Sequence, residues 1–175
     1  FEVRQTSNQH PLNPLDGWLD KQDSRMPVLP KFWAESELGM KSWGWTEDTV
    51  QVPSKVRFAV EGYDLLDGAS NICGLRSLEA SLTTPNGTKL LAYKASWGEL
   101  DFGVNKDMNA HAFYPVWSTE RDQVHRLHRV PTNRLGIYAT AQGDGFVELP
   151  VGETALLEVV ASDAAGNTTR RHVVI

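Results

Sequence analysis

The chain has 175 residues, 41 % of them hydrophobic and 22 % charged, which suffices for one sizeable domain or a domain with a short extension. A net charge of −5 argues against non-specific nucleic-acid binding, which needs a basic surface, and no apolar run approaches the roughly 18 residues of a membrane helix. Cys73 is the only cysteine, which excludes an internal disulfide.

The opening FEVRQTSNQHP has neither the basic start nor the apolar centre of a signal peptide. Residues 1–4 alternate, with Phe1 and Val3 on one side and Glu2 and Arg4 on the other. So short a strand is not stable alone, and it reads as the end of a sheet that lay upstream. Residues 5–25 are polar and broken by Pro11, Pro14 and Gly17, a surface linker tacked down by Leu12, Leu15, Trp18 and Leu19. The expected division is therefore an end strand plus linker over 1–25 and a β-sandwich over 26–175. Pro27 and Pro30 frame Val28 and Leu29 as a short edge strand. Residues 31–49 carry Trp33, Trp43 and Trp45 among Gly39 and Gly44, and read as a long loop or a ragged hairpin.

The organising stretch is VRFAVEGYDLLDGASNICG, residues 56–74. Val56, Phe58 and Val60 recur at period two, the signature of a strand with one buried face. The alternation then gives way to Asp64, Asp67, Gly68, Ser70, Asn71 and Gly74, residue types that cap their own backbone in a structured loop. A returning strand follows over 75–82. Thr84-Pro85-Asn86-Gly87-Thr88 between apolar runs is a hairpin signal. Residues 105–114 read as one short helix, capped by Asn105, with Met108, Ala112 and Phe113 inward and Tyr114-Pro115 ending it. Strands are expected over 123–130, 135–140, 146–149, 154–162 and 168–175, the last two joined by the tight turn Asp163-Ala164-Ala165-Gly166-Asn167. Many short strands with regular turn signals give the fold class: all-β, an antiparallel immunoglobulin-like β-sandwich with one short helix and an N-terminal extension. The Cys-Trp-Cys pattern of antibody domains is absent.

Catalytic zinc needs three convergent ligands and an open position. His125 and His128 form H-x-x-H, but in an extended segment they point to opposite faces. They read as two partly exposed histidines of a basic strand, not as metal ligands. Asp64, Asp67 and Asn71 supply three oxygen side chains in one loop, enough to raise a calcium site. Bonds to the loop's own backbone are the reading adopted, with Gly74 completing that structural loop. Arg121, Arg126, Arg129 and Arg134 make a local basic patch, a solvated strand face or a surface for an anionic partner. Trp43 and Trp45 share a face if extended, packed on a sheet or stacked on sugar rings. The candidate binding residues are thus Trp43, Trp45, Arg126, His128 and Arg129. No nucleophile motif or phosphate-binding glycine loop is present, so no catalytic residue and no metal ligand is assigned.

FEVR at 1–4 and HPLNPL at 10–15, then VRFAVEGYDLLDGASNICGLRSLE, VNKDMNAHAFY, VHRLHRVPTNRLGIY and VVASDAAGNTTRRHVVI, resemble the C-terminal part of secreted lysostaphin-type (LytM-like) zinc peptidoglycan endopeptidases. In that family an H-x-x-x-D pair and a His-x-His motif hold the zinc, the latter immediately before F-E-V-R. The resemblance implies that these ligands lie before Phe1. Zinc would then belong to the parent's catalytic domain, and this chain would carry no cofactor. It implies a non-catalytic accessory domain, periplasmic or secreted, that positions or restrains the missing peptidase domain, its principal partner. Contact with peptidoglycan or an envelope protein is the further expectation. The alternatives are a glycan- or peptide-binding module, or a docking domain for an envelope partner.

Overall fold

The structure, a computed structural model, describes residues 23–68, 70, 72–97, 111–119 and 122–175, together with the backbone of residues 3–4 and 11–12. It is all-β, with two antiparallel sheets that enclose one core. No helix among the described residues is long and apolar enough to cross a membrane.

The spine is β5, Lys55–Leu65. Its even-numbered residues Val56, Phe58 and Val60 are buried, as their period-two spacing requires. One edge of β5 pairs with β3, Val28–Ser36, which pairs in turn with β4, Gly39–Gly44. Three short strands take its other edge in succession: β10 (Val147–Glu148) at Val56, β9 (Val124–Arg126) at Ala59 to Glu61, and β6 (Ile72–Cys73) at Asp64 and Leu65. The second sheet has the order β12-β11-β7-β8. It is built from β7 (Ser77–Thr83), β8 (Lys89–Ser96), β11 (Leu156–Ser162) and β12 (Thr168–Val174). Phe32, Phe58 and Val60 of one sheet and Leu78, Leu82, Leu157 and Val159 of the other meet in the core. Burying such side chains supplies roughly 1.5–3 kcal/mol each.

Several expectations hold. The Thr84 turn closes β7 onto β8, with the Thr84 amide donating to Thr88 O and Gly87 at φ 86°. Residues 163–167 turn β11 into β12, Asn167 N–H donating to Asp163 Oδ1.

Others are corrected. The stretch opening at Pro27 is no short edge strand. β3 is nine residues long and lies between β4 and β5. Pro30 is accommodated because the β3–β5 register shifts between Val28 and Lys31, where a missing N–H breaks no regular ladder. Of the two readings of residues 31–49 the hairpin holds, because β3 and β4 pair through a turn at Glu37 and Leu38. Residues 135–140 make no strand but a single bridge, Tyr138 to Ala95. There the Thr140 hydroxyl takes the Lys94 N–H that a ladder would use. The segment 123–130 is extended only over Val124–Arg126.

The helix expected at 105–114 lies outside the described residues up to position 110. Among the described residues of that stretch His111 is helical, and Phe113 bridges His125. At the N-terminus β1 (Val3–Arg4) pairs with β2 (Pro11–Leu12), a segment read from sequence as linker.

Candidate functional site

The even-numbered face of β5 that buries Val56, Phe58 and Val60 continues through Gly62 to Asp64, so the register carries a carboxylate inward. Asp64 is therefore not a loop residue; it lies in β5 and pairs with Cys73. It is 2 % exposed. Two further carboxylates reach it: Asp23, ahead of β3, and Asp163, 1 % exposed, in the turn after β11. One oxygen from each of the three lies within 4.8 Å of the others.

Hydrogen bonds hold two of the three in place. Asn167 Nδ2 donates to Asp163 Oδ2 at 2.7 Å and to the Asp23 carbonyl at 2.9 Å. Asp23 Oδ1 accepts from the amides of Arg25 and Asp67. Asp23 Oδ2 and Asp64 Oδ1 are buried and have no hydrogen-bond partner. Burial, opposed by a bond from the Leu65 amide and reinforced by the charges of Asp163 and Asp23, pushes the Asp64 carboxyl up to about 6. The Cys73 thiol is pushed up as well, first by burial and then by Asp64 and Asp23.

The same junction fastens the segment that enters the sandwich. Ser24 donates its amide and its hydroxyl to Asp67 Oδ2, both at 2.8 Å, and Arg25 Nη1 donates to Leu66 O. Thr169 of β12 donates to Pro27 O. Residues 23–27 are thereby tied to β5 and its turn and to β12, one strand from each sheet. Asp67 thus bonds the entry segment rather than its own loop. The turn glycine with positive φ is Gly68, at 71°, whereas Gly74 is exposed with room for a side chain. Asn71 lies outside the described residues.

His125 and His128 are not partly exposed. Both are buried, and they occupy different surroundings. His125 Nε2 meets Gly62 O at 3.2 Å, with Trp97 and Phe113 rings packed on it. His128 lies against Tyr114, and neither of its ring nitrogens has a partner. Burial pushes both imidazoles down to about 4, for His128 with help from the Arg57 and Arg126 charges. Buried imidazoles stay neutral at ordinary pH, and these two act as core side chains.

Arg126 and Arg129 do not form a solvated strand face either. The Arg126 guanidinium lies 3.7 Å from the Tyr114 ring centroid and its Nε donates to Phe113 O. Arg129 Nε donates to Asn133 O, with its guanidinium 5.6 Å from the Tyr138 ring centroid. A neighbouring network joins Glu35 to Arg57 through two bonds of 2.8 and 2.6 Å and to the Tyr114 hydroxyl at 2.6 Å. Arg57 holds the Glu35 carboxyl below its usual range. Trp43 and Trp45 both lie against Phe32, Trp43 stacked with ring centroids 5.4 Å apart and Trp45 tilted at 4.9 Å. Both pack on the core.

The five residues singled out for binding do not form one surface: Trp43 and Trp45 meet at Phe32, Arg126 and His128 at Tyr114, and Arg129 lies against Tyr138. The arrangement assembles instead Asp23, Asp64 and Asp163, of which the sequence offers only Asp64 as a candidate cation ligand and the other two as turn residues. Comparison with protein-family models, with curated proteins and with solved structures gave no match.

Proposed function

We propose that this chain is a non-catalytic accessory domain, an immunoglobulin-like β-sandwich, of a cell-envelope zinc endopeptidase acting on peptidoglycan. Its task is to hold the catalytic domain that precedes it in a fixed attitude. The reading rests on the sequence blocks that resemble this family. The observation that carries the positioning role is the clamp on residues 23–27. Ser24, Arg25 and Pro27 are bonded to Asp67, Leu66 and Thr169, and Asp23 to Asn167, so the chain enters the sandwich at a fixed point. A flexible tether would need no such bonds. The glycan-platform alternative draws less support, because Trp43 and Trp45 spend ring surface on Phe32.

The coding sequence upstream of Phe1 tests the parentage. The reading expects His-x-His directly before Phe1, and a different sequence there would overturn it. The activity is tested on purified peptidoglycan sacculi. The isolated chain should release no soluble fragments and retain no stoichiometric zinc after dialysis, whereas the parent should release fragments and retain zinc. Turnover by the isolated chain would refute the accessory role.

A further inference from the structure

Three carboxylates from distant parts of the chain converge where the entry segment meets both sheets. Burial removes the water that would screen them. The protein's own donors cover part of this oxygen surface. Asn167 bonds both oxygens of Asp163, through its amide nitrogen at 2.8 Å and its side chain at 2.7 Å. The Arg25 and Asp67 amides cover Asp23 Oδ1. Asp23 Oδ2 and Asp64 Oδ1 remain, both buried and both without a donor, and the Asp64 residue is only 2 % exposed. A buried carboxylate oxygen is normally hydrogen-bonded or bound to a metal.

We propose that Asp23, Asp64 and Asp163 bind a calcium ion that locks the entry segment onto the two sheets. Oxygens 4.8 Å or less apart can all reach one ion at the 2.3–2.6 Å of calcium–oxygen bonds, which spans roughly 5 Å at most. The set is oxygen only, which suits a hard cation and not zinc. Cys73, beside Asp64 in the ladder, does not bring its sulfur among the converging atoms. Calcium is favoured over magnesium because three carboxylates fixed by unrelated segments offer irregular geometry, and magnesium demands a near-ideal octahedron. Asn167 is the positioning residue. Its bonds to Asp163 and to the Asp23 carbonyl aim two of the three ligands, as hydrogen bonds behind metal ligands commonly do. The site stands on this geometry and is independent of the accessory-domain reading.

The test uses the whole chain, stripped with EGTA, then titrated calorimetrically and melted with calcium or magnesium chloride. The expected result is one calcium per chain with half-saturation at roughly 0.1–1 mM, and a Tm that rises with calcium far more than with equal magnesium. Asp64→Asn and Asp163→Asn should each weaken calcium binding at least about tenfold, and Glu79→Gln, an exposed carboxylate on the second sheet, should not. Asp64→Asn keeps the shape and removes one of three crowded charges, so its Tm in EGTA should equal or exceed that of the unaltered chain. Asp23→Asn, at a half-buried position, provides a second ligand variant expected to fold and to lose calcium binding. No Tm shift at about 10 mM calcium, an equal response to both cations, or undiminished binding in Asp64→Asn or Asp23→Asn would overturn the proposal.

Discussion

Lowering the pH from about 7.5 to about 5 charges the imidazoles of His125 and His128 in the unfolded chain, where such groups titrate near 6.5, but hardly in the folded one. Burial holds both rings down to about 4 in the fold. A folded pKa below the unfolded value means stability that is complete above about 6.5 and is lost as the pH falls toward about 4. Over the stated interval each ring should withdraw about 2 kcal/mol. Asp64 works the other way. Its carboxyl is raised to about 6, so protonating it on acidification returns roughly 1 kcal/mol over the same interval. Glu35 and Asp67, both held below the usual carboxylate range, act below this window. The net expectation is a loss of roughly 2–3 kcal/mol, read from urea denaturation in EGTA at a series of pH values. His128→Leu isolates one ring. Its imidazole nitrogens have no partner to lose, and the charged groups facing it, Arg57, Arg126, Glu35 and Asp144, remain. The variant should lose about 2 kcal/mol less than the unaltered chain across that interval. Equal losses in the two proteins would refute the argument, because His128 would then titrate alike folded and unfolded.

Gly145 adopts φ 79° and a Cβ there would run into the His128 ring, so Gly145→Ala should destabilise by more than about 2 kcal/mol, part of it recovered in a double variant with His128→Ala when both are measured in urea. Tyr114→Phe removes the 2.6 Å bond to Glu35 while Arg57 keeps the carboxylate paired, and chemical denaturation should show a loss of about 1–2 kcal/mol. Among the described residues β1 and β2 pair with each other and with no further strand, so deleting residues 1–11 should change stability by no more than roughly 1 kcal/mol; a chain unfolded by the deletion would place an integral strand in that segment.

The parts of the fold legible in the sequence were those set by short-range physics. Alternation at Val56, Phe58 and Val60 exposed β5, the Pro85-Asn86-Gly87 run exposed the β7–β8 hairpin, and Asp163 to Asn167 exposed the last turn. β3 was hidden by Pro27 and Pro30, which argue against a central strand by the general rule. A register shift at one point of the ladder made the exception, and nothing local announces such a shift. The basic look of residues 125–134 misled for a different reason. Charge counted along the chain assumes that charged side chains meet water, whereas Arg126 and Arg129 lie against aromatic rings and bond backbone carbonyls.

The acidic joint was half legible, and the missed half has a physical explanation. Asp64 reads with Asp67 and Asn71 because they are neighbours in sequence, and it is the first polar residue of the Val56, Phe58 and Val60 parity. Carrying the period-two count of β5 onward gives a different answer. Val56, Phe58, Val60, Gly62 and Asp64 share one parity, and every residue of that parity is buried. An Asp on a core-facing register position must find donors, lose its charge or hold a cation. Where those partners come from is beyond a linear count. Asp23 arrives from an entry segment and Asp163 from a turn across the sandwich, and only the packing of the two sheets makes them neighbours. Asn167 was read as ordinary turn chemistry after β11, which it is, since its amide caps Asp163. Its side chain also reaches the Asp23 carbonyl. One tight turn thus both closes a hairpin and fixes the point at which the rest of the chain enters the domain.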